Sequence, residues 1–121
     1  MARTPKHLRS GRKAEKRAGA YLRRHGLSLI DQNYRTPRGE IDLVMEDGDT
    51  LVFVEVRYRR SEAYGLAGET VDRSKQRKLR LSAEQYLQEC YGSRSRPCRF
   101  DVVAIAGDSR SGKIVWYRNA F

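Results

Sequence analysis

At 121 residues, 39% hydrophobic and 33% charged, the chain has room for one domain with a real core and little left for a second. Its formal net charge is +10, and of its 25 basic residues only six are lysines against 19 arginines; guanidinium forks grip phosphate oxygens two at a time and stack on bases, which favours a nucleic-acid partner. A GC-rich coding bias would also write Arg for Lys, but it would not create the excess charge. No apolar run approaches the ~20 residues of a membrane span, the charged N-terminus lacks the apolar stretch of a secretory signal, and Cys90 and Cys98, without CxxC spacing and far from His7 and His25, do not suggest zinc. The two thiols read as reduced and partly buried, and the cytoplasm is the expected compartment.

Residues 1–9 show no periodicity and read as a flexible basic arm, with a single domain over residues 10–121. Ser10 is a plausible cap for a helix from about Gly11 to His25, closed by Gly26. Its apolar stripe is Ala14, Ala18, Tyr21 and Leu22. Leu27–Tyr34 reads as a first strand, Thr36–Gly39 as a turn, and Glu40–Glu46 and Leu51–Tyr58 as strands two and three. Residues 61–71, with Gly65 and Gly68, form a loop. Asp72 or Ser74 can cap a second helix running to about Tyr91, with Leu79, Ala83, Tyr86, Leu87 and Cys90 on its apolar face. Arg99–Ala106, apolar apart from Asp101, and Ile114–Arg118 complete the strands. The long helix between strands three and four is the connection a parallel pair requires. The fold class is α/β, a mixed sheet flanked by helices.

The segments Gly39-Glu40-Ile41-Asp42-Leu43-Val44 and Val52-Phe53-Val54-Glu55-Val56-Arg57 each place a carboxylate where an apolar residue is favoured. Glu46–Thr50 between them turns the chain into a hairpin. A two-residue loop at Asp47-Gly48 sets Asp42 opposite Phe53, whereas one at Gly48-Asp49 sets it opposite Glu55. In either register alternation sends both carboxylates to one face, at ~5 or ~7–8 Å between Cβ atoms. Both spacings suit a shared Mg²⁺, and without a cation the pair would repel. The competing reading is a surface ion-pair network of Glu55 with Arg57. The apolar run around Glu55 argues against it, because a covered carboxylate without a partner is costly. Glu40 shares the face of Asp42 and would add a supporting ligand or pair with Arg38. Asp101, between Phe100 and Val102, is assigned to structural hydrogen bonding.

Gly39-Glu40-Ile41-Asp42, Phe53-Val54-Glu55-Val56-Arg57 and Arg99-Phe100-Asp101-Val102-Val103, with Ala14-Glu15 and Ser74-Lys75-Gln76, resemble the YraN family of uncharacterised bacterial proteins. That resemblance implies the restriction-endonuclease-like PD-(D/E)xK superfamily, close to archaeal Holliday-junction resolvases, and a core ordered αβββαβ. It implies that Asp42 and Glu55 hold Mg²⁺ or Mn²⁺, that Arg57 occupies the position of the motif's lysine, and that Glu15 matches a glutamate some members supply from the first helix. The implied activity is hydrolysis of phosphodiester bonds in DNA, branched or otherwise structured, by a metal-dependent endonuclease. Arg57 is the departure, since arginine stays protonated and cannot act as a base, although it can stabilise transition-state charge. Three alternatives stay open: hydroxide supplied by the metal is the base, Lys75 substitutes from the second helix, or the chain binds nucleic acid without cutting it.

Arg12, Lys13 and Lys16 from the first helix, Arg59 and Arg60 at the exit of the third strand, and Arg73, Arg77 and Lys78 from the second helix flank the carboxylates in sequence order and are the candidate phosphate contacts. Tyr58 and Tyr64 could stack on bases, with packing the stronger expectation. DNA is favoured over RNA, with recognition by shape rather than base edges. The resolvase resemblance leaves a homodimer open, with no interface legible in the sequence.

Overall fold

A computed structural model describes residues 6–60, 71–92, 94–108 and 110–121, with side chains from Gly11 onward. The element order is α1 (Lys6–Arg24), β1 (Ser28–Thr36), β2 (Gly39–Asp47), β3 (Thr50–Arg59), α2 (Arg73–Tyr91), β4 (Cys98–Ala106) and β5 (Lys113–Tyr117). The αβββαβ order is thus present, followed by one more strand. The five strands lie in sequence order across one sheet. β1–β2, β2–β3 and β4–β5 are antiparallel, and β3–β4, joined through α2, is parallel. β3 is therefore central, as its run of valines demands.

Strand alternation divides the core between the two helices. Val52 and Val54 pack with Leu43, Met45, Val103 and Ile105 against Ala14, Ala18 and Leu22 of α1. Leu51 and Phe53 pack with Ile41 and Val44 against Ala83 and Tyr86 of α2. Ala14 and Ala18 are fully buried, so α1 lies close on the sheet with no slack. Ala18→Leu is expected to cost about 1–3 kcal/mol through overpacking, read as a lower urea midpoint with an unchanged slope.

Each helix stops where a glycine permits it. Gly26 follows α1 at φ 95°, and Leu27 N–H reaches back to the Leu22 carbonyl at 3.1 Å, the pattern of a left-handed C-terminal cap. Asp72 caps α2, its carboxylate accepting from Lys75 N–H at 2.8 Å, and Gly92 closes it. The start of α1 is a correction: the helix begins at Lys6, four residues ahead of Ser10, so residues 6–9 are helical and not part of an arm. Serine inside a helix costs only about 0.5 kcal/mol, less than continuing the ladder returns. Residues 1–5 and the expected loop with Tyr64, Gly65 and Gly68 lie outside the described residues.

The cysteines also depart from expectation, since Cys90 and Cys98 are both exposed free thiols. The stripe of α2 ends its fully buried positions at Tyr86, one turn before Cys90. Asp101 has the expected structural role. Fully buried, it accepts from Arg99 Nε at 3.0 Å, Trp116 Nε1 at 2.9 Å and Asn119 N–H at 2.9 Å. Arg99 also binds Asp47 at 2.9 Å, and Arg96 binds Glu46 and the Asp49 carbonyl. Two arginines thus clamp the β2–β3 turn. Among the described residues, no helix is long and apolar enough to cross a membrane.

Candidate metal centre

The hairpin adopts the Gly48-Asp49 loop. Asp47 pairs with Thr50, Val44 with Phe53 and Leu43 with Val54, and one further step in this register sets Asp42 opposite Glu55. The regular pairing stops at Leu43. Ile41 packs on the α2 side whereas Leu43, two residues on, packs on the α1 side, so β2 turns over at Asp42. The strict alternation expected to put Asp42 and Glu55 on one face is therefore broken. Asp42 itself is the cause: its Oδ2 accepts from Val56 N–H at 2.8 Å, taking the place a β2 carbonyl would fill in the ladder.

The turn carries Asp42 to the α1 side, where carboxylate oxygens of Glu15, Glu40 and Asp42 all lie within 4.8 Å of one another. They line a hollow of about 360 Å³ together with Gly11, Arg12, Asn33 and Arg35. Glu40 pairs with Arg35 at 3.5 Å, not with Arg38. Glu55 sits beside Asp42 and receives Lys75 from α2, with Nζ 3.6 Å from Oε1. Arg57 is half-buried two residues further along β3, and its charge also acts on Glu55. Of the five residues expected at the site, Glu15, Asp42, Glu55 and Lys75 are thus brought together from four elements, with Arg57 alongside.

The electrostatics are those of crowded acids. Burial, then the charge of Glu55, pushes the Asp42 carboxyl up to about 8. Burial also raises Glu55, against the opposing charges of Lys75 and Arg57. Glu15 is raised by burial and then by Glu40. The side chain of Glu55 is 8% exposed, and its buried Oε2 has no hydrogen-bond partner among the described residues. A buried acceptor left unpaired is costly, and this one belongs to the acid whose charge bears most on Asp42.

The eight candidate phosphate contacts, Arg12, Lys13, Lys16, Arg59, Arg60, Arg73, Arg77 and Lys78, are all exposed. Lys13 and Lys16 share a basic hollow with Arg17 and Arg110, and Arg73 and Arg77 share another with Arg80. Tyr58 is a packing residue, its hydroxyl donating to the Gly107 carbonyl at 2.9 Å. Asn33 and Arg35 carried no signal in the sequence: a polar residue in an edge strand is ordinary there, and only the fold brings these two to the acids.

The model of Uncharacterised protein family UPF0102 matches residues 14–105, from the buried alanine of α1 to the end of β4. The chain belongs to this family. UPF0102 proteins of Pseudomonas savastanoi pv. phaseolicola and Nitrosococcus oceani are 51% and 45% identical over 113 and 115 residues, which cover 93% and 95% of this chain and 92% and 93% of theirs. A UPF0102 protein of Pseudomonas aeruginosa is 51% identical over 113 residues, covering 92% of this chain and 90% of its own. The candidate site residues of this UPF0102 protein, from Glu15 to Lys75, all fall inside the matched span.

Proposed function

We propose that this UPF0102 protein is a divalent-cation-dependent nuclease acting on DNA. The observation that carries the reading is Glu55, a buried carboxylate with one oxygen lacking any described partner, set beside an Asp42 whose charge is itself disfavoured. An acidic set of this kind is stable only with a cation or a proton. The donors are all carboxylate oxygens, the chemistry that Mg²⁺ and Mn²⁺ favour over zinc or copper. Asp42 and Glu55 would hold the ion, with Glu15 beside them. An ion held there polarises a phosphodiester and makes a bound water more acidic.

The remaining roles belong to the chain. Lys75 offers three rotatable donors at the edge of the acids and can orient an attacking water. Arg57, permanently protonated, can grip a phosphate oxygen and stabilise the charge that develops on it. The exposed cations on α1 and α2 supply sequence-independent backbone contacts. Binding without cleavage is the second reading, and Arg57 at the usual lysine position is what favours it.

The test is cleavage of branched and linear DNA in Mn²⁺ by wild type and by an Asp42→Ala/Glu55→Ala variant, with calorimetric Mn²⁺ titration of both. Wild type should cut and bind Mn²⁺, and the variant should do neither. Equal background cleavage with Mn²⁺ binding that depends on both acids selects the binding module. Mn²⁺ binding indifferent to both substitutions sinks the metal centre.

A further inference from the structure

Asn33 is the residue around which the acids on the α1 side are arranged. It lies in β1 between Gln32, paired with Leu43, and Tyr34, paired with Ile41, and so stands across from Asp42. Its backbone is left-handed, at φ 52°, in the middle of a strand, a conformation that asparagine tolerates better than most residues but rarely takes there. Its amide nitrogen, in the orientation both acceptors require, donates to Glu40 Oε1 at 2.8 Å and to Glu15 Oε2 at 2.9 Å. One neutral amide thus spans two carboxylates that otherwise repel, Glu40 being the like charge that acts most strongly on Glu15.

A consistent division of oxygens results. Glu15 Oε2 and Glu40 Oε1 are held by Asn33, Asp42 Oδ2 by Val56 N–H and Glu55 Oε1 by Lys75. Glu15, Asp42 and Glu55 are thus each held through one oxygen, whereas Glu40 is held through both, its Oε2 pairing with Arg35 at 3.5 Å. Glu55 Oε2, buried and unpartnered, is the independent sign that the opposite oxygens are meant for something else.

We infer that Asn33 is a positioning residue that holds Glu15 and Glu40 against Asp42, so that the carboxylates are set for a divalent cation before it arrives. The inference rests on the metal-dependent reading above. It also accounts for the residue type. Aspartate would add another negative charge in place of two donors. Glycine would suit the backbone but leave the acids unbridged.

Asn33→Gly is the discriminating variant, because it relaxes the left-handed position while removing the amide. It should still fold, and bind Mn²⁺ about 10-fold more weakly in calorimetry, the lower end for loss of a partner that orients a ligand. In a Glu15→Gln/Glu40→Gln background the same change should have no further effect on Mn²⁺ affinity. Wild-type affinity in Asn33→Gly, or an equal loss in both backgrounds, overturns the inference. NMR relaxation of the metal-free protein separates this outcome from failure of the nuclease reading. The Glu15 and Glu40 side-chain methylenes should gain fast motion in Asn33→Gly, and unchanged motion overturns the clamp whatever the protein does with Mn²⁺.

Discussion

Lys75→Met is expected to lower DNA cleavage in Mn²⁺ by about 10²-fold or more, the scale of a lost proton-handling or water-orienting group, while tightening Mn²⁺ binding. The two effects have opposite signs for one reason. Lys75 Nζ stands 3.6 Å from Glu55 Oε1 and is the closest described cation to that buried acid. An incoming ion must compete with it for Glu55, so removing the ammonium strengthens the ion's hold. The same ammonium is the one group placed to act on water where the strand offers only Arg57. Arg57→Lys in the Lys75→Met background should restore part of the rate by returning an ammonium to the strand. Wild-type cleavage by Lys75→Met removes Lys75 from the mechanism. Weaker Mn²⁺ binding in that variant would mean that Lys75 supports the acids instead of competing with the ion.

The fold was legible because its determinants are local. The stripes of Ala14, Ala18 and Leu22 and of Leu79, Ala83 and Tyr86 fixed two helices, and the helix between β3 and β4 required their parallel pairing. The hairpin could be narrowed to two registers, and Glu55 marked itself by standing in a run of valines. What stayed illegible arises from side chains competing with backbone. Asp42 captures the Val56 N–H, which interrupts the ladder and turns β2 over; alternation rules carry no term for that. The left-handed Asn33 stands across from that break, whereas Arg35 meets Glu40 as its ordinary cross-strand partner. Ser82 was missed for a simpler reason. A serine on an apolar stripe looks like a gap until its hydroxyl meets Thr36 Oγ1 at 2.9 Å, pinning α2 to the β1–β2 turn.

In metal-free protein, Asp42→Asn should raise stability by an amount that grows with pH. The folded-state carboxyl is pushed from its usual 3.8 up to about 8 by burial and by Glu55. Its protonated form is therefore the one the fold prefers. The stability contributed by that proton is fully present below the unfolded value and is lost as pH rises through the folded one. Asparagine imitates the protonated acid, can still accept from Val56 N–H, and does not titrate. The advantage of the variant over wild type in EDTA should accordingly be small near pH 4 and widen toward pH 8, by up to about 1.4 kcal/mol per pH unit. Glu15, Glu40 and Glu55 face Asp42 from α1, β2 and β3, with Lys75 and Arg57 as the opposing charges, so the slope reports the cluster as a whole. Mn²⁺ should reverse the order. At 100 times its dissociation constant an ion adds about 2.7 kcal/mol to a protein that binds it only when folded, and wild type should receive that at pH 8 while Asp42→Asn receives little. Thermal unfolding at pH 5, 6.5 and 8, with EDTA or Mn²⁺, measures every quantity needed. A difference between variant and wild type that stays flat with pH would mean that the Asp42 carboxyl is ionised in the fold without strain, and the electrostatic case for a cation would fall with it.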